Sequence, residues 1–160
     1  MDMTTKPVEA GFSYDRFQKI APAALAALLA MGKAVDDSGL DKALTELVKI
    51  RVSQINGCAF CIQFHLDLAH RIGIDAVKLD LVAAWRDAGI YSARELAALG
   101  WAEQVTIQTD HHSDESAYAA LHDQFTADEM LNLTVAIANI NAWNRIAGAL
   151  HFPPPAAQRR

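Results

Sequence analysis

The chain has 160 residues, a length typical of one domain that buries its own core. Hydrophobic residues make up 52% of it and charged residues 21%, which is typical of a globular protein and excludes a disordered one. The formal net charge is -5 and the basic run is confined to residues 159–160, so no nucleic-acid partner is predicted.

Residues 1–12 lack a basic segment followed by an apolar one, so no secretory signal is expected. The longest apolar stretch, residues 21–31, is too short to cross a bilayer. We therefore expect a cytoplasmic protein without a membrane partner. In such a protein two cysteines three positions apart, Cys58 and Cys61, indicate redox or metal chemistry more than a structural disulfide.

Apolar residues recur at helical spacing along the chain, and no stretch alternates convincingly at period two, so we predict an all-α fold. The first helix begins near Pro22, because proline fits the first helical turn, and breaks at residues 38–39. A second helix runs from about Asp41 to residues 56–57, and the cysteines come directly afterwards.

The third predicted helix starts at Gly57 or Cys58, so that both cysteines fall at its N-terminus, and it ends at Gly73. Asp75 can cap a fourth helix, which the apolar spacing extends as far as Gly89. The dithiol is therefore expected in the first turn of the third helix.

Two capping boxes are predicted in the second half of the chain. Ser92 with Glu95 starts a fifth helix, and Thr126 with Glu129 starts a long seventh helix. In both pairs a hydroxyl and a carboxylate three residues apart can satisfy each other's backbone N–H groups.

A turn at residues 109–113 separates the fifth helix from a sixth at residues 114–125. Three prolines at residues 153–155 stop the seventh, and the tail after them is expected to be frayed. We predict a single domain over residues 1–160, with a core at about residues 22–150 and peripheral ends.

Cys58, Cys61 and His65 are separated by three and then four positions, so they share one face of a helix. The helix N-terminus lowers the pKa of a cysteine there, and a thiolate that attacks a peroxide becomes a sulfenic acid. A second thiol condenses with that acid to a disulfide. His65 is the nearest group suited to moving the protons, and Glu46 on the preceding helix is a candidate to orient or deprotonate it.

Two other interpretations of the cysteine pair remain. The thiols could be small buried apolar groups. They could also bind zinc with His65, but His70 lies nine positions beyond Cys61, on the opposite helix face, so a further ligand is needed from elsewhere. The adjacent His111 and His112 point apart and are expected to lie in a solvated loop. We expect neither a metal nor a cofactor.

The residues around the dithiol resemble a known family. Residues 46–61 read ELVKIRVSQINGCAFC, His65 follows, and the similarity continues through AWR at 84–86, AALGWAE at 97–103 and NINAWNR at 139–145. These segments are similar to the AhpD-like alkylhydroperoxidases of the carboxymuconolactone decarboxylase family. The resemblance covers most of residues 40–150.

This resemblance implies an AhpD-like helical fold and a cofactor-free thiol peroxidase that reduces alkyl hydroperoxides or hydrogen peroxide. It implies that Cys61 becomes the sulfenic acid, that Cys58 is the proton donor and resolving thiol, and that Glu46 and His65 form a proton relay. It also implies a dithiol reductant or reductase as partner, and a homo-oligomer such as a trimer or hexamer. Residues 59–60 replace a histidine-containing pair of some relatives, so a proton path through that position is absent.

The sequence also leaves two alternative functions open. One is lactone decarboxylation, as the family name suggests, with His65 or Glu46 as the base. The other is a non-catalytic redox sensor whose disulfide alters helix packing.

Other polar residues near the motif are interpreted structurally. Arg51 could orient Glu46 or form an ordinary ion pair. Four residues of a later segment are expected to position helices or subunits rather than bind substrate. These are Asn141, Trp143, Asn144 and Arg145.

Overall fold

The computed structural model describes residues 11–109 and 114–156. In these ranges the chain is helical without β-strands, which confirms the all-α prediction. None of the helices described there is both long and apolar enough to cross a membrane. The elements are α1 (Tyr14–Ile20), α2 (Pro22–Asp37), α3 (Lys42–Ile55), α4 (Ala59–Arg71), α5 (Ala76–Leu81), a 3₁₀ helix (Val82–Ala84), α6 (Trp85–Ala88), α7 (Ala93–Thr106), α8 (Glu115–Gln124) and α9 (Ala127–Ala149).

Some sequence predictions concern residues outside those ranges. They are the predictions for residues 1–10, for the loop that contains His111 and His112, and for the end of the tail at residues 157–160.

Most helix starts are set by a capping side chain that accepts a backbone N–H of the first turn. From α3 onward these caps are Asp41, Cys58, Asp75, Ser92, Asp114 and Thr126. The predicted capping boxes of Ser92 with Glu95 and of Thr126 with Glu129 are both formed. Because a cap depends on residues only two or three positions apart, the sequence is enough to locate it.

The predicted fourth helix is divided into α5, the 3₁₀ helix and α6. The buried residues Leu79, Val82 and Trp85 recur every three positions, and a 3₁₀ turn brings residues three apart onto one line. The tighter turn therefore directs all three side chains into one core cluster. Gly89 ends the segment in the left-handed conformation, with φ 67°.

The two ends of the helical core differ from the prediction. A helix before Pro22 was not predicted, yet α1 forms, with the ring of Tyr14 stacked on Trp143 and that of Phe17 edge to face with it. At the other end α9 stops at Ala149, before the prolines, because the chain turns back to bury Phe152. The prolines therefore follow the helix end and do not cause it.

Helix α3 lies at the centre of the fold, packed against α4, α7 and α9. On one side Val48 and Val52 belong to the larger core cluster, and on the other Leu47 and Ile50 belong to the smaller one. A helix buried on both sides has its position fixed by every neighbour. The side chains of α3 are therefore well placed to anchor a site.

A buried carboxylate links α3, α6 and α7. Glu103 accepts hydrogen bonds from Arg51 Nε at 2.9 Å and Trp85 Nε1 at 2.8 Å, and it pairs with Arg86 at 2.6 Å. Burial opposes ionisation, but these donors hold the pKa of Glu103 below its usual value. Arg51 thus forms its ion pair with Glu103 of α7, and not with Glu46 or with a residue one turn away on its own helix.

Two leucines on α9 test the core. Leu133 is 0% exposed and Leu131 is 66% exposed. We expect Leu133→Ala to lower the free energy of unfolding by about 2–5 kcal/mol, because it leaves a cavity. Leu131→Ala, which removes the same atoms from the surface, should cost less than about 1 kcal/mol. Urea unfolding measures both, and equal losses would contradict the packing described.

Candidate active site

The dithiol lies where α3 turns into α4. Gly57, at φ 67°, makes the turn, and the N–H of Cys58 donates to the carbonyl of Ser53 at 3.0 Å. Cys58 is the N-cap of α4, and its sulfur accepts the N–H of Cys61 at 3.3 Å. A thiolate at this position meets the positive end of the helix.

The two thiols are buried and differ in pKa. Cys58 is 1% and Cys61 2% exposed. The thiol of Cys61 donates to the sulfur of Cys58 and, against the opposing effect of burial, lowers the pKa of Cys58 to about 7. The same hydrogen bond, with burial and the neighbouring charge, raises the pKa of Cys61. The pair therefore loses its first proton near neutral pH, and the two sulfurs then share the remaining proton with the negative charge on Cys58.

Glu46 and His65 form the second part of the site. The antiparallel pairing of α3 and α4 brings Glu46 Oε2 within 2.6 Å of His65 Nδ1. The Glu46 side chain is fully buried, and its other oxygen accepts from Lys49 at 2.9 Å and lies 3.3 Å from Lys42. Burial alone would raise the pKa of Glu46, but His65 and Lys49 lower it to about 2.

A cavity of about 300 Å³ joins these groups, and Cys61, Glu46 and His65 all line it. Cys58 is not among the described residues of the lining. The walls are mainly apolar and aromatic, with lysines and one aspartate at the polar side. They include Tyr14, Leu28, Leu29, Phe60, Phe64, Leu68, Ile140 and Trp143, with Lys33, Asp36, Lys42 and Lys49.

Four residues of the site had no functional role in the sequence analysis. Tyr14 and Phe60, whose rings stack at 6.1 Å, form part of the cavity wall with Trp143. Asn144 lies against the turn that carries the dithiol, with Nδ2 donating to Ser53 Oγ at 3.0 Å, and it lowers the pKa of Cys58. A signal for Asn144 existed, because it falls on the apolar stripe of α9 between Ile140 and Ala147, where a polar side chain needs a buried partner.

Within the described residues, no group of three or more histidine, cysteine, aspartate or glutamate side chains is arranged to hold a metal ion. His65 instead directs Nδ1 to Glu46. The arrangement provides a buried dithiol, one sulfur at a cavity, and a carboxylate–imidazole pair beside it.

Comparison with known proteins finds a matching family and a relative of similar sequence. The model of the carboxymuconolactone decarboxylase family matches residues 22–104. The uncharacterized protein YdfG of Bacillus subtilis strain 168 is 33% identical over 134 residues, which cover 84% of this chain and 91% of that protein.

Solved structures share the fold. The crystal structure of ATU0492 from Agrobacterium tumefaciens, a putative antioxidant defence protein AhpD, superposes with a TM-score of 0.84 at 35% identity. The match covers 88% of this chain and 96% of that one. The debrominase Bmp8 superposes with a TM-score of 0.74 at 20% identity, over 84% of this chain and 73% of that one. A fold common to different chemistries leaves the reaction to be argued from the site.

Glu46→Gln tests the buried ion pair. The lowered pKa means that folding favours the ionised carboxylate, so this stabilisation is present above pH 4.5 and is lost as the pH falls towards about 2. We expect the variant to be less stable than the parent by on the order of 3 kcal/mol above that range, with a difference that shrinks on acidification. Urea unfolding at a series of pH values measures it.

Asp80→Asn, which removes one exposed carboxylate, is the control. If the difference between parent and Glu46→Gln changes no more with pH than the difference for this control, Glu46 is not held ionised as described.

Proposed function

Since the chain belongs to the carboxymuconolactone decarboxylase family and is AhpD-like, we propose that it is a thiol-dependent peroxidase for alkyl hydroperoxides or hydrogen peroxide. The proposal rests on one observation. Cys61 lines a cavity together with Glu46 and His65, while Cys58 contacts Cys61 from outside that lining. The sulfur that lines the cavity attacks, and the other sulfur resolves.

The first step uses the proton that the two sulfurs share. Cys61 passes its proton to the Cys58 thiolate, and the new thiolate attacks one peroxide oxygen. An S–O bond forms, the O–O bond breaks, and Cys61 becomes a sulfenic acid. The alkoxide leaves as an alcohol with the proton from Cys58, so Cys58 is again a thiolate.

The second step closes the disulfide. The Cys58 thiolate attacks the sulfur of the Cys61 sulfenic acid, the S–S bond forms, and hydroxide leaves as water with a proton from His65. Glu46 Oε2 holds the imidazole of His65 in place through the 2.6 Å contact with Nδ1, so the two serve as the proton relay. Overall, two thiols and one peroxide yield a disulfide, an alcohol and water.

A dithiol reductant or reductase then returns the disulfide to two thiols, and the cycle needs no bound cofactor. The apolar walls, among them Leu28, Phe64 and Ile140, suit the organic part of an alkyl hydroperoxide.

Replacing each cysteine separately tests the roles. With a dithiol reductant present, we expect Cys61→Ser to lose peroxide turnover, because the attacking sulfur is gone. We expect Cys58→Ser to be oxidised once per protomer, to form no intramolecular disulfide, and to lose turnover as well. Peroxide consumption and mass spectrometry of the oxidised thiols measure these outcomes, and circular dichroism checks the fold.

Undiminished turnover in Cys61→Ser would sink the peroxidase proposal. Activity on a carboxymuconolactone that survives replacement of both cysteines would favour decarboxylation, with His65 or Glu46 as the base. Oxidation that changes the oligomer size without turnover would favour a redox sensor.

We also propose a homo-oligomer, a trimer or hexamer. Large apolar side chains that stay more than half exposed in the protomer support it, since such surface is commonly covered by another copy. They include Ile20, Val77 and Ile107. Light scattering of the purified protein should give three or six times the 17.4 kDa chain mass, and a single-chain mass at working concentration would contradict this.

A further inference from the structure

Five aromatic side chains form a continuous row along the wall of the cavity. In order they are Trp143, Tyr14, Phe60, Phe64 and His65. The centroids of neighbouring rings in this row lie 5.1–6.3 Å apart. The last ring is the imidazole that contacts Glu46, so the aromatic row extends to the polar groups of the site.

The first four rings of the aromatic row have similar orientations. From Trp143 through Tyr14 and Phe60 to Phe64, the plane of each ring differs from the next by only 15–19°. Aromatic pairs favour an offset-stacked arrangement with nearly parallel planes. A flat ring in the cavity can therefore lie nearly parallel to two neighbouring rings of the row at once.

Tyr14 is the ring of the row that comes from outside the buried helices. Helix α1 contains no buried residue, yet its Tyr14 ring lies against Phe60 of α4 and Trp143 of α9. Helix α1 thus adds an aromatic ring to the cavity wall without adding a fully buried side chain to the core. Replacing Tyr14 should therefore alter the cavity more than the stability of the fold.

The charged residues of the cavity favour a neutral ligand. Each lysine of the described lining already forms an ion pair with a carboxylate. The pairs are Lys33–Asp37, Lys42–Asp36 and Lys49–Glu46. An anionic ligand, such as the hydroperoxide of a fatty acid, has to displace one of these carboxylates, whereas an uncharged aromatic ligand does not.

We propose that the aromatic row binds the organic group of the substrate, and that this substrate is an uncharged arylalkyl hydroperoxide. This inference rests on the proposed peroxidase function and names its substrate class. The ligand ring stacks on Tyr14 and Phe60, and the O–O group reaches Cys61, which directly follows Phe60 in the chain. A cavity of about 300 Å³ has room for one ring with a short substituent. The reaction then yields the corresponding arylalkyl alcohol and water.

The test compares the binding of two unreactive alcohols to the reduced, full-length protein. Cumyl alcohol carries a phenyl ring, and its cyclohexyl analogue has the same carbon skeleton with a saturated ring. The indole N–H signal of Trp143 in NMR spectra reports on binding, because this ring lines the cavity. The signals of Trp85 and Trp101 serve as internal references, since neither residue is in the described lining.

Tyr14→Leu keeps an apolar side chain at the cavity wall and removes the ring. The quantity to compare is the Kd of the cyclohexyl analogue divided by the Kd of cumyl alcohol. We expect this ratio to fall by about fivefold in Tyr14→Leu, because stacking on the ring is lost while contact with apolar surface remains. If this variant folds poorly, Phe64→Leu removes the 45% exposed ring of the row and should lower the ratio too.

Tyr118→Leu is the matched control. The Tyr118 ring also packs on a tryptophan, with its centroid 6.1 Å from that of Trp101, but Tyr118 is not in the described lining. This variant should keep the ratio of the parent protein. The inference is overturned if neither alcohol moves the Trp143 signal, or if the ratio is unchanged in a folded variant that lacks the ring of Tyr14 or Phe64.

The inference and the proposed function fail separately. No sulfur reacts with these alcohols, so their binding does not depend on peroxide turnover. A protein that prefers cumyl alcohol through Tyr14 but consumes no peroxide contradicts the peroxidase proposal alone. One that consumes peroxide with the same ratio in Tyr14→Leu contradicts the aromatic binding site alone.

Discussion

The fold depends on two buried carboxylates that meet the central helix α3. Glu46 lies fully buried within it, and Glu103 of α7 reaches it through Arg51. A buried charge is costly unless it is paired and hydrogen-bonded. His65 and Lys49 pair with Glu46, whereas Arg51 pairs with Glu103. These requirements orient α4 on one side of α3 and α7 on the other.

The two cysteines differ because they occupy different positions in the first turn of one helix. Cys58, at the N-cap, accepts the N–H of Cys61 and holds the negative charge, while Cys61 faces the cavity. The sulfur that is easier to ionise is therefore not the one that lines the cavity. In the mechanism that we propose, transfer of one proton between the neighbouring sulfurs resolves this conflict.

Much of the helical layout could be predicted from the sequence. Capping depends on neighbours two or three positions apart, so helices beginning after Ser92 and Thr126 could be predicted from those residues. The 3₁₀ turn at Val82 could not be predicted in this way. Over a few residues, α-helical spacing and a spacing of exactly three residues are nearly alike. The end of α9 was also missed, since it depends on where Phe152 is buried.

The sequence by itself determined that a dithiol lies at a helix start with His65 on the same helix, because these relations are local. The Glu46–His65 contact, suggested by the helix order and the family resemblance, needed the packing of α3 on α4 to be established. Only the tertiary structure decided which sulfur faces the cavity and that Asn144 of α9 bonds Ser53 Oγ beside the dithiol turn. Spacing sets directions within one helix, but contacts between helices depend on how their buried faces pack.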